Sequence, residues 1–317
     1  MARSMTRSVL TLPGADGAEL VAVVHEPAGP PVSVTVLLAG GVLPRMGVNR
    51  VLVRMADRLA AAGHRAVRVD PGGLGESGGT LPEEPFFDLL RRVESGAFVE
   101  DVRLTAEAVA PVQDDVPLVL FGTCGGGITA LRVAEQLERV TGVIAVGVPL
   151  KRSGARIPPG FARRTERRRA LRQLAELRHR TGSGRVRRVI RPLVWSLVPR
   201  LSRRLPDDAD RWLNTPLLGS MRALYARRLP VSLLYGENDI VRDEIEELFL
   251  GLHRLSERPW FELGLIPAVG HQLDDPDEVD AVAERIQRFA EQLRAPAGRT
   301  ASATSPVLRP AGDPAAS

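Results

Sequence analysis

The sequence predicts an α/β protein: a doubly wound, mostly parallel sheet with helices on both faces and an inserted helical lid. Three observations carry that expectation. Strand-like and helix-like stretches alternate through the first 150 residues. Residues 151–229 break the rhythm, reading as helical with no convincing strand. The alternation then resumes at residue 230 and closes on a long amphipathic stretch. The expected organisation is a core formed by 1–150 and 230–295, an arginine-rich helical cap at 151–229, and a disordered Ala/Pro/Ser/Thr tail at 296–317.

Ser8 to Leu12 and Leu20 to His25 read as two short strands joined by a Gly-rich turn. Val34 to Leu38 is a continuous apolar run, the pattern of a strand covered on both faces. A helix is expected over Asn49 to Ala62, with Asn49 as its cap, Val51, Met55 and Leu59 on one side, and Gly63 at its stop. Ala66 to Val69 is the next strand, followed by a loop, Pro71 to Gly79, that holds five glycines. Phe98 to Ala110 reads as a helix. Val116 to Phe121 is a buried strand that runs into Gly122-Thr123-Cys124-Gly125-Gly126. The helix that follows carries Ile128, Leu131, Ala134 and Leu137 on one side. Strands are expected at Val143 to Val148, Pro230 to Tyr235 and Phe261 to Leu265, and a helix at Arg242 to Arg254. Val279, Val282, Ile286, Phe289 and Leu293 form the stripe of the last helix.

Composition narrows the function classes. Hydrophobic residues make up 44% of the chain and charged residues 26%, which excludes wholesale disorder and a polytopic membrane protein. A single cysteine, Cys124, excludes an internal disulfide framework and a cysteine-based zinc cage. Met1 to Leu12 lacks an apolar run of signal-peptide length, and no stretch approaches the ~20 apolar residues of a membrane span. A cytoplasmic location is therefore expected.

The strand–Gly122-x-Cys124-x-Gly126–helix arrangement carries the chemistry. A sharp strand-to-helix turn strains its central residue and lifts that side chain above the sheet, the nucleophile elbow, here with Cys in place of Ser. A lone cysteine is ordinarily an inert core residue. The flanking strand, helix and glycines favour the nucleophile. A nucleophile needs a base. Of five histidines only His271 falls in a loop between the last strand and the last helix, the sheet edge where ligand sites form. His25 lies in an early strand, His64 follows a helix near the opposite edge of the sheet, His179 sits in the cap and His253 ends a helix. Asp239, after the strand at 230–235, is the best candidate for the orienting acid, and Glu237 is its close rival. The oxyanion hole is expected from the Gly125 N–H and from Gly41 or Val42 in the turn after the third strand.

Together these segments resemble the α/β-hydrolase superfamily over roughly 30–150 and 230–294. Asp70-Pro71-Gly72-Gly73-Leu74-Gly75-Glu76-Ser77 is similar to its D-x-R-G-x-G-x-S segment, with Gly72 where Arg is common. The stretch Gly40 to Arg50 and the G-x-C-x-G elbow are similar to a bacterial subgroup associated with exosortase systems. At the elbow the chain also resembles dienelactone hydrolases. The resemblance implies acyl transfer through a covalent enzyme intermediate, with no cofactor and no metal. It also implies an ester, thioester or lactone substrate, and the cysteine in place of serine favours thioesters, lactones or a non-water acceptor over ordinary esters. Two other functions remain open at this point. One is an acyltransferase or cyclase that uses the same residues with a non-water acceptor. The other is a catalytically silent binding protein on a hydrolase scaffold.

The chain has 42 Arg and one Lys, and residues 151–230 hold 22 basic and five acidic side chains. A solvated lid face accounts for many of these. Three further roles fit them: steering an anionic acyl substrate, docking an acidic carrier protein, or resting on an anionic membrane surface beside Leu193, Val194, Trp195 and Leu197. Nucleic acid is disfavoured, because no recognition motif accompanies the charge. Trp195, Trp212, Leu213, Leu217, Leu218 and Leu224 are expected to pack on the body and line an acyl pocket.

Overall fold

The computed structural model describes residues 4–111, 115–156, 158–160, 162–167, 170, 211–237, 239, 241–242, 244–245, 260–267, 269–271, 273 and 275–294. Most of the expected cap with Leu193, Val194, Trp195 and Leu197, most of the helix expected at Arg242 to Arg254, the tail, His179 and His253 lie outside those residues.

Eight strands form one sheet in the order β1-β2-β4-β3-β5-β6-β7-β8. They are β1 (Thr6–Pro13), β2 (Glu19–Glu26), β3 (Val34–Leu38), β4 (Arg65–Asp70), β5 (Leu118–Thr123), β6 (Gly142–Val146), β7 (Val231–Gly236) and β8 (Phe261–Ile266). β2 runs antiparallel to both β1 and β4. Every other pairing is parallel, so β3 to β8 all end at one edge. Sheet register follows the period-two rule for side chains. Leu118 and Leu120 of β5 point into one core layer and Phe121 into the other; Leu233 and Leu234 of β7 divide in the same way.

On one face lie α1 (Val51–Ala61) and α6 (Pro276–Arg294). Leu52, Met55 and Leu59 there meet Val279, Val282 and Ile286 against Leu37, Phe121 and Ile144. On the other face lie α3 (Val99–Val109), α4 (Gly125–Gln136) and α5 (Thr215–Ala226). Full burial of each such side chain contributes about 1.5–3 kcal/mol of transfer free energy. Trp212, Leu213, Leu217 and Leu224 sit in the same core as α4, so the body takes these residues rather than a free-standing cap. Asn214 caps α5, its side chain accepting the Leu217 N–H at 3.1 Å. The chain leaves and re-enters the body at one stitch. Lys151 bridges Leu213, Arg152 N–H donates to Trp212 O at 2.8 Å, and Asn214 N–H donates to Leu150 O at 2.8 Å.

Three local differences from the expectation have clear causes. Asn49 does not cap the first helix. It sits at φ 48° and Arg50 at φ 59°, in a short 3-10 turn (Val48–Arg50), and α1 begins at Val51. β5 starts two residues later than expected, because Pro117 has no N–H for the ladder, and it extends to Thr123 opposite Val146. A helix not expected, α2 (Phe86–Ser95), follows Pro85 and crosses above the sheet edge. Among the described residues no helix is long and apolar enough to cross a membrane.

Candidate active site

The site grows from the bend between β5 and α4. Cys124 has φ 48° and ψ −118°, a conformation that costs a non-glycine residue about 1–3 kcal/mol. Surrounding bonds hold it there. Its N–H donates to Val146 O at 2.8 Å, and its carbonyl accepts Gly127 N–H at 3.1 Å. The glycines on either side are required by close approach. A Cβ on Gly122 would lie 2.3 Å from the Gly126 backbone, and one on Gly126 would lie 2.4 Å from Ala39 O. With no side chains in the way, α4 starts directly against β3 and β5. The bend therefore lifts Cys124 to a half-buried position at the C-terminal edge.

His271 and Asp239 come from the loops after β8 and β7. Asp239 is buried, with 1% of its surface exposed. His271 Nδ1 and Asp239 Oδ1 are 2.9 Å apart. Asp239 Oδ1 also accepts the Val241 N–H at 2.9 Å, which fixes the carboxylate. Its Oδ2 is buried without a hydrogen-bond partner among the described residues. His271 is pushed up to about 10, first by its hydrogen bond to Asp239 and second by the neighbouring Cys124, against the opposing effect of burial. Since Nδ1 is committed to Asp239, Nε2 is the nitrogen left for the Cys124 thiol. Gly147, at φ 64° just past β6, floors this pair; a Cβ there would lie 2.9 Å from Asp239 Oδ2 and 3.1 Å from His271 Nδ1.

Glu237 is exposed and its N–H is used by Ile266 O at 2.9 Å, so the geometry sets Asp239, not Glu237, against His271. The other described histidines sit in the body of the fold. His25 Nδ1 meets Asp57 at 2.9 Å and His64 Nδ1 meets Ser33 at 2.8 Å, and burial is the main reason both are lowered.

The turn after β3 lies against the bend. A Cβ on Gly125 would be 2.8 Å from Gly41 N, and one on Gly40 would be 3.4 Å from Cys124 Cβ. Gly125 is the first residue of α4, where N–H groups have no intrahelical acceptor. Among the described residues no acceptor takes the Gly41 N–H either. The Val42 N–H likewise has no acceptor among the described residues, while its side chain packs with Leu74, Val93 and Phe98. The Gly41 and Gly125 backbones thus lie side by side at the bend. Helix α2, which the sequence reading missed, walls them: Leu90 reaches the Gly41 side and Val93 the Gly125 side. Its signal was the spacing of Phe86, Leu90 and Val93 directly after Pro85.

A mostly parallel eight-stranded sheet with an antiparallel second strand, helices on both faces and a sharp β5–α4 bend is the α/β-hydrolase fold. Solved structures agree. The α/β hydrolase GrgF from Penicillium sp. sh18 is 17% identical and covers 90% of this chain and 98% of its own, with a TM-score of 0.55. An esterase of Pyrococcus furiosus is 12% identical over 91% of this chain and 92% of its own, with a TM-score of 0.56. A dienelactone hydrolase from Anabaena variabilis is 15% identical over 91% and 98%, with a TM-score of 0.53. No family model and no curated protein matches the sequence.

Proposed function

We propose that the protein is a hydrolase that cleaves an ester, thioester or lactone through a covalent acyl group on Cys124. The observation that carries this reading is the imidazole of His271, bonded to buried Asp239 at Nδ1 and raised in pKa by the strained, half-buried Cys124 as well as by Asp239. An esterase and a dienelactone hydrolase among the structures of like fold agree with it.

The steps follow from the arrangement. With the proton of the Cys124–His271 pair held on His271 Nε2, Cys124 Sγ attacks the acyl carbonyl carbon. A C–S bond forms and the carbonyl π electrons move to oxygen. In this reading the Gly125 N–H and that of Gly41 or Val42 receive the oxyanion, and one such donor is worth roughly 3–4 kcal/mol of transition-state stabilisation. The oxyanion collapses, the bond to the leaving group breaks, and His271 returns its proton to that group. Water then attacks the thioester with His271 as base, releasing a carboxylic acid and the thiol. Asp239 stabilises the imidazolium and keeps the ring in the tautomer the exchange needs. His271 keeps 22% of its side chain exposed, a path for the attacking water.

The test is a panel of acyl thioesters and p-nitrophenyl esters, assayed with wild type and with Cys124→Ala. Wild type is expected to release free acid and the variant none. Turnover that survives in Cys124→Ala contradicts the proposal. Acyl transfer to an added alcohol or amine, with no free acid, replaces hydrolysis by acyl transfer at the same residues.

A further inference from the structure

The turn that presents the Gly41 N–H is a loop, and loops do not hold a donor to the tolerance an oxyanion demands unless something fixes them. Four residues further on, Arg45 is bonded through its backbone N–H, its carbonyl and both terminal guanidinium nitrogens. Its backbone N–H donates to Asp70 Oδ1 at 2.5 Å, and its guanidinium donates through Nη1 to Asp70 Oδ2 and through Nη2 to Glu76. Its carbonyl accepts from Arg68 Nη1 at 3.3 Å. Asp70 is the last residue of β4 and is fully buried, while Arg45 is only 11% exposed along its side chain. The same carboxylate takes the Glu76 N–H at 3.1 Å.

Arg68 is itself anchored. It is 5% exposed, and its Nε donates to His25 Nε2 at 3.0 Å. An arginine only donates, so His25 accepts at Nε2 and carries its proton on Nδ1, which donates to Asp57 at 2.9 Å. Arg7 on β1 closes the chain on Asp57 at 2.6 Å. A continuous set of charge-assisted bonds thus runs from β1 and α1, across β2 and β4, to the backbone of the loop after β3. None of these groups touches Cys124, His271 or Asp239 in the bonds described, and a buried ion pair is a poor source of net stability on its own. It does specify position.

We propose that Arg45 is a positioning residue for acyl transfer, acting through the loop from Gly40 to Gly47 to hold the Gly41 N–H at the oxyanion site. The inference rests on the proposed acyl chemistry of Cys124 and adds the residue that sets its second donor. Arg45 itself touches no reacting atom.

Two reactions of the same sulfur separate this role from a merely structural one. Acylation by a p-nitrophenyl ester passes through an oxyanion; alkylation by iodoacetamide does not. Both are followed on the full chain by intact mass, since Cys124 is the only cysteine. Arg45→Ala is expected to slow acylation by roughly 100-fold or more while alkylation stays within about twofold of wild type. Arg45→Lys keeps a charge but not the fork that spans Asp70 and Glu76, and it should recover part of the acylation rate. If Arg45→Ala does not fold, Arg45→Lys alone decides: acylation slowed with alkylation preserved supports the role. Equal loss of both reactions, or loss of neither, overturns it. A wild type that alkylates but accepts no acyl group overturns the function proposed for the site, and the positioning role with it. Acylation of wild type and Arg45→Ala at equal rates overturns only the positioning role.

Discussion

Asp239→Asn isolates the electrostatic step on which the proposed chemistry turns. The substitution keeps the side-chain shape and an oxygen for the Val241 N–H, but removes the charge that faces His271 at 2.9 Å. The rise of His271 from 6.5 to about 10 corresponds to at most about 5 kcal/mol in favour of the imidazolium. Asp239 is its largest cause and Cys124 the next, so most of that preference is expected to vanish. The ring then falls back toward the ordinary imidazole range and holds the proton of the Cys124–His271 pair less readily. Acylation of Cys124 at neutral pH should drop by roughly 100- to 10,000-fold, the span of a lost acid–base partner. The alkaline limb of the rate profile, where the imidazolium is lost, should move down from about 10 toward neutrality. The assay is acylation by a thioester substrate, timed by intact mass across the pH range, with a thermal melt to show that the variant is folded. A folded variant with the wild-type rate and the wild-type alkaline limb refutes the reasoning.

Other expectations follow from the same coordinates. Gly126→Ala drives a Cβ to 2.4 Å from Ala39 O and 2.6 Å from Leu38 O, backbone atoms that cannot rotate away; stability should fall by about 1–3 kcal/mol in urea titration, with Cys124 acylation lost as well. An unchanged urea midpoint would show that α4 does not press on β3. In a Cys124→Ala background, which removes the thiol's own titration, His271 still binds a proton above the pH at which the unfolded ring loses it. Folding stability is then fully supported below 6.5 and declines by up to about 1.4 kcal/mol per pH unit above it, until the folded group itself titrates. Adding His271→Asn should flatten that decline in urea titrations; an identical slope contradicts the assignment. Asn214→Ala removes the cap of α5 and should cost about 1 kcal/mol in thermal or urea unfolding, with Cys124 alkylation unaltered.

The strands were legible because most of them are covered on both faces. Val34 to Leu38 and the apolar core of β5 carry no surface alternation that a helix would imitate. The last helix was legible from its stripe, and Cys124 from the glycines that its neighbours' backbones demand. Less was readable where tertiary contacts decide. Asn49 has the chemistry of a cap, yet the turn around it takes left-handed backbone and hands the helix start to Val51. α2 spans ten residues with four charged side chains, and its apolar side matters only because it lies over the bend at Cys124. Asp239 and Glu237 leave the same strand two residues apart, and only the path of the loop turns one inward and the other to solvent. The bonds from Arg45 to Asp70 and from Arg68 to His25 join residues 25 and 43 positions apart, and no local pattern marks them.

The most direct measurement is the mass of the intact protein during turnover. The chain is mixed with an acyl thioester, quenched in acid within the first turnover, and digested to locate any adduct. A mass increase equal to the acyl group, confined to the peptide with Cys124 and absent in His271→Ala, is the predicted result. Product formed with no adduct on that peptide, or an adduct that forms equally fast without His271, contradicts the account.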